Sequence, residues 1–206
     1  MKMFPINKTG AIFACIVTWC FHTSYAGTVE PCYEWTASLD RTTGVATSKE
    51  TSNLVCKSNK SAANIFKDYP NWLCSGRVTL GLFRAVPSPK NGVALKTRLL
   101  GTTMLEFGSP RVFGSRCELP ITGGLLAARS QGYLYFGLKK KSNIETRIVG
   151  YVPSISGLPT VSRMRSWIYL NTQSLVHANV MCRFHGYVRN ELSKGLITKA
   201  ADDDQN

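Results

Sequence analysis

The chain has 206 residues, 44% of them apolar, and 25 Lys and Arg stand against 12 Asp and Glu, a net charge of +13. That apolar share excludes a disordered polypeptide, and the length suffices for one domain with a real core. A positive charge of this size draws a protein to anionic surfaces such as lipid head groups or acidic polysaccharide; it bears on association, not on fold.

The first 26 residues read as an export signal. Lys2 and Lys8 form a positive n-region, Ala11 to Phe21 a short apolar h-region, and Ser24-Tyr25-Ala26 places small residues at the −3 and −1 positions of a cleavage site before Gly27. The apolar run is shorter than the about 20 residues a membrane-spanning helix needs. A secreted or periplasmic protein with no transmembrane span in its mature chain is therefore expected, and nucleic acid is not an expected partner for it. Without Lys2 and Lys8 the count is 23 basic against 12 acidic side chains, a net charge of +11.

Cys15 and Cys20 lie in the signal, which leaves Cys32, Cys56, Cys74, Cys117 and Cys182. In an oxidising compartment five cysteines form at most two disulfides. The sequence does not fix the connectivity, and Cys56–Cys74 is the preferred pair.

Residues 27–75 read as a loop-rich entry, with one strand within Thr28 to Leu39 and a helical turn or two at Ser61 to Phe66. From 76 to 152 the pattern becomes β. Val78, Leu80 and Leu82 alternate with polar or small residues, and Val93 to Leu99 repeats the alternation after a Pro-, Asn- and Gly-rich turn. Arg111 to Leu119 is a further strand, and Gly132–Leu138 with Ile144–Val152 form a hairpin turning through Lys139 to Asn143. Short connections between adjacent strands predict an antiparallel sheet. Ser162 to Ser193 is drawn as one helix, N-capped by Ser162 and stopped at Gly195. Its broad apolar arc includes Met164, Trp167, Met181 and Val188. An acidic disordered tail is expected over 201–206.

Antiparallel strands before a long C-terminal helix predict an α+β domain, the helix lying across a curved sheet. The alternative is a lipocalin-like barrel with a terminal helix. Between Arg116 and His185, the blocks Glu118-Leu119-Pro120-Ile121-Thr122-Gly123-Gly124, Glu145 to Tyr151, and Ile168-Tyr169 through Val176-His177-Ala178 resemble uncharacterised bacterial proteins near the helix-grip superfamily (polyketide-cyclase or lipid-transfer type). The resemblance implies a cavity between sheet and helix suited to an apolar ligand, and it carries over no catalytic residues.

Candidate side chains are few. His177, Met181 and His185 stand at i, i+4 and i+8, and Cys182 is three residues before His185, a set with soft-metal spacing. The same residues border an arc destined for the core, where Met and Cys fill space, so no metal or other cofactor is expected. Glu118 and Glu145 are strand carboxylates that could serve acid–base chemistry, yet Arg116 and Arg147 are two residues away on the same faces. Gly123-Gly124 reads as a tight turn. No serine elbow, zinc-protease helix, Walker loop or dinucleotide fingerprint is present.

Three functions follow in order. The first is binding of an apolar or amphipathic small molecule or lipid between sheet and helix, lined by Tyr133, Tyr135, Trp167 and Met181. The second is contact of the basic surface with an anionic envelope or host component. The third is a small exported hydrolase or cyclase using Glu118 or Glu145 with His177.

Overall fold

The computed structural model describes residues 33–54, 62–75, 79, 81–89, 91–139, 143–156 and 160–203, with side chains to residue 193. The expected signal segment, Cys32, Cys56 and the Lys140-Lys141 hairpin tip lie outside these residues.

The fold is α+β. Nine strands form one antiparallel sheet: β1 Tyr33–Leu39, β2 Ala46–Asn53, β3 Phe83–Ser88, β4 Gly92–Thr97, β5 Thr103–Phe107, β6 Arg111–Phe113, β7 Arg116–Gly123, β8 Tyr133–Lys139 and β9 Asn143–Tyr151. The helices are α1 Ala62–Lys67, α2 Tyr69–Cys74, α3 Arg163–Asn171 and α4 Gln173–Asp203, with a 3-10 turn at Ser154–Ser156. The order across the sheet is β1-β2-β9-β8-β7-β5-β4-β3, with β6 also on β7. Among the described residues β1 and β3 are not joined, so the sheet is open and the lipocalin-like barrel is excluded.

Two segments expected to be otherwise are corrected here. The loop-rich entry holds the β1–β2 hairpin, whose register runs from Tyr33↔Ser52 to Leu39↔Ala46. Its residues hide the strand signal because β2 is polar on both faces: Ser48, Glu50 and Ser52 alternate inward with exposed Thr47, Lys49 and half-buried Thr51. Of the alternation at Val78 to Leu82, Val78 and Leu80 lie outside the described residues, and Thr79, Gly81 and Leu82 are not in a strand. The Leu82 amide bonds the Thr79 carbonyl at 2.9 Å and Gly81 takes φ +71, a turn that delays β3 to Phe83.

The single C-terminal helix is also corrected, to two. Ser162 caps α3 as expected, its hydroxyl accepting from the Arg165 amide at 3.2 Å. The break falls at Thr172, with φ −129 and ψ −78. There Asn171 Nδ2, Thr172 Oγ1 and Ser174 Oγ donate to the carbonyls of Trp167, Ile168 and Leu170, four residues back. Such back-bonding competes with the helical ladder and bends it. α4 then passes Gly195 and continues to Asp203, so residues 201–203 of the expected tail are helical. A lone glycine weakens a helix by about 1 kcal/mol without stopping it.

The break changes which side chains are buried. α3 leaves Met164 and Trp167 exposed, while α4 buries Ala178, Met181, Phe184, His185, Val188 and Leu192 at helical spacing. All four helices cover one face of the sheet. Phe184 of α4 meets Phe136 of β8 at 5.2 Å and Tyr69 of α2 at 5.0 Å between ring centroids, and Phe66 of α1 stacks on Phe136 at 5.5 Å. This aromatic cluster is the centre of the core.

Candidate functional site

Beside the aromatic cluster, the helices and sheet leave a cavity of about 170 Å³. α4 contributes Gln173, Val176, His177 and Val180, the i, i+3, i+4, i+7 face of one helical stripe. Strands β4, β5, β7, β8 and β9 supply Leu95, Met104, Phe107, Ile121, Leu134 and Ile148 as the opposite wall. Tyr69 and Leu73 of α2 and Tyr169 of α3 close the sides, and Leu82, 46% exposed, brings the rim to the surface. The turn after β7 depends on glycine: Gly124 has φ +108, and a Cβ there would lie 2.5 Å from the Met104 carbonyl oxygen. The volume is below the about 300 Å³ at which drug-sized pockets begin. It matches the roughly 150 Å³ apolar cavities that admit a single aromatic ring.

The polar groups in these walls are few and mostly paired. The Tyr151 hydroxyl donates to the Leu126 carbonyl at 2.5 Å and accepts from Gln173 Nε2 at 2.8 Å. Burial raises the pKa of Tyr69, Tyr151 and Tyr169, and the nearby Glu50 charge adds to the rise for Tyr69 and Tyr169. All three stay neutral hydroxyls near neutral pH.

Behind the wall stands Glu50, 0% exposed on β2, with Oε1 at 3.3 Å from His177 Nε2. Neither Glu50 oxygen has a hydrogen bond among the described residues. A buried acid at this distance holds the imidazole in one orientation. His177 is thus the one basic side chain in the cavity wall, backed by an acid. Farther along α4, His185 is clamped between Ser52 Oγ at 2.9 Å from Nδ1 and Thr146 Oγ1 at 2.7 Å from Nε2. Burial pushes its pKa down to about 3, with Arg189 and His177 reinforcing the shift.

The sequence-derived candidates are distributed differently from expectation. His177 reaches the cavity; Tyr133, Tyr135, Trp167 and Met181 do not line it. Met181 is fully buried in the core, and Trp167 is 65% exposed. Thr146 bonds α4, so its neighbour Glu145 points to the opposite face of the sheet. There Glu145 pairs with Arg147 at 2.6 Å and Lys49 at 3.6 Å, and Arg147 lies 5.7 Å over the Tyr135 ring. Glu118 lies in register with Tyr135 and Arg111 on that same outer face. The sheet therefore separates both carboxylates from His177, and the trio expected for a hydrolase or cyclase is not assembled.

No three His, Cys, Asp or Glu side chains converge as a metal site among the described residues. His177, Cys182 and His185 are not brought to a common point, since Glu50 takes one imidazole and two hydroxyls take the other. Cys74 and Cys117 carry free thiols, and Cys56, the expected partner of Cys74, lies outside the described residues. Burial pushes the Cys74 and Cys117 thiols up to about 11. Sequence reasoning missed Glu50; the signal was the two-residue period Ala46, Ser48, Glu50, Ser52, too polar to read as a core face.

No protein-family model and no curated protein matches the chain. Among solved structures, it is similar to CalU16 from Micromonospora echinospora, at 9% sequence identity and a TM-score of 0.31, over 79% of this chain and 97% of that one. No helix among the described residues is long and apolar enough to cross a membrane.

Proposed function

We propose that the chain binds a compact, mainly apolar molecule in the cavity beneath α4, with one polar group of the ligand directed at His177. The observation that supports it is the cavity itself: apolar walls, a rim at Leu82, and a single His–Glu pair as polar handle. On this reading the fold is a helix grip, a long helix laid over a sheet with ligand between, and the chain is exported after cleavage before Gly27.

Thermal melts in the presence of toluene, phenol and indole test the binding. Each probe raises the melting temperature of the parent chain, because a ligand that binds only the folded state stabilises it by mass action. Phenol gains over toluene through His177, and His177→Leu removes that gain while leaving toluene binding. Val176→Trp fills the cavity and abolishes the shift for all three. A parent chain indifferent to every probe would overturn the reading. The mass of the exported chain tests the cleavage site.

A further inference from the structure

We propose that one end of the sheet, the end carrying the β1–β2 and β4–β5 turns and the start of α3, docks on an anionic lipid bilayer. The register places these elements together. Ala46 of β2 pairs Tyr151 of β9, Tyr133 of β8 pairs Val149, and Pro120 of β7 pairs Tyr133. Beyond β7, the Leu125 amide bonds the Thr103 carbonyl at 2.9 Å, and Lys96 of β4 pairs Thr103 of β5. The Val161 amide bonds the Arg41 carbonyl at 3.0 Å, which fixes α3 to the β1–β2 turn.

This end exposes large apolar side chains on two separate elements. Leu99 and Leu100, at the β4–β5 turn, are 93% and 62% exposed; Met164 and Trp167, on α3, are 69% and 65% exposed. Water-facing leucines at a turn tip and a tryptophan beside arginines are the side chains that enter the boundary between head groups and acyl chains. The charge agrees. Residues 40–45, 98–102, 124–132 and 152–171 contain Arg41, Arg98, Arg129, Arg163 and Arg165 against one acid, Asp40. Each cationic side chain near an anionic leaflet adds to binding. The outer face of the sheet differs, since Lys49 and Arg147 there are paired with Glu145. The cavity rim belongs to the docking end as well, because the Arg98 amide bonds the carbonyl of Leu82 at 2.8 Å.

The test is co-sedimentation of the full chain with vesicles of phosphatidylcholine plus phosphatidylglycerol, and with phosphatidylcholine alone. Residues 1–26 are present in every variant, so their affinity for lipid is common to all arms. The parent prefers the anionic vesicles. Leu99→Asp with Leu100→Asp, and separately Trp167→Asp, weaken binding by about tenfold or more. Arg163→Glu with Arg165→Glu does the same on anionic vesicles only. Phe113→Asp, an exposed aromatic at the opposite end of the sheet, binds as the parent does, and unchanged thermal melts show that every variant is folded. A parent without preference for anionic vesicles, or equal loss from Phe113→Asp, would overturn the proposal. Loss in the arginine variant alone, with the leucine and tryptophan variants unaffected, assigns the end to an acidic protein or polysaccharide and also overturns it.

Discussion

Where α4 faces β4, β5 and β7, it meets Leu95, Phe107 and Ile121 across the cavity; where it faces β2 and β9, it meets Glu50, Ser52 and Thr146. The first region is held by burial of apolar area, which has no direction, and it tolerates empty space. The second is held by hydrogen bonds between His185 and two hydroxyls and by the Glu50–His177 contact, which have direction and tolerate little. One helix thus rests on a surface that permits sliding and on another that forbids it. The polar seam sets the rotation of α4, and that rotation is what directs Val176, His177 and Val180 into the cavity.

Four measurements test this division, beginning with the largest effect. Phe184→Ala, at the aromatic centre the two regions share, lowers unfolding free energy by about 3–5 kcal/mol in chemical denaturation. Thr146→Val removes the 2.7 Å bond to His185 without changing shape, and it costs about 1–3 kcal/mol. If the seam sets the rotation of α4, that variant also weakens probe binding in the cavity, and intact binding would separate the two regions.

The third is pH dependence. His185 titrates near 3 when folded against an ordinary value of 6.5. Above pH 6.5 both states are neutral and its contribution is complete. As pH falls from 6.5 toward 3, the unfolded chain takes a proton that the folded chain refuses, and stability is lost by up to about 1.4 kcal/mol per pH unit. His185→Gln makes that slope shallower over the same window. The smallest effect belongs to the cavity: Val180→Leu adds one methylene to open space and stabilises by roughly 0.8 kcal/mol.

The apolar region was the more legible in the sequence. Leu134, Phe136 and Leu138 alternate plainly, as do Val93 and Leu95, so β8, β9 and β4 follow from a period of two. The cap at Ser162 was equally visible, since its chemistry is local. The cavity-lining face of α4 was not, because a helix drawn straight through Thr172 carries the wrong phase to Val176 and Val180. A break made by three successive side-chain bonds to backbone shifts the phase of everything beyond it. Glu50 was invisible for a different reason. Pattern reading equates inward with apolar, and β2 turns Ser48, Glu50 and Ser52 inward because His177 and His185 approach from another part of the chain. Only the fold supplies such partners.

The open sheet ends in two unlike borders. β3 carries Arg84 and, opposite Val93, Pro87, which lacks an amide to offer another strand. β1 pairs with β2 alone among the described residues, and within Tyr33–Leu39 it has one charged side chain and no proline. Unguarded backbone of that kind accepts further strands. Any self-association at high concentration therefore begins along β1, and a lysine at Thr36 or Ser38 is the simplest way to keep concentrated solutions clear.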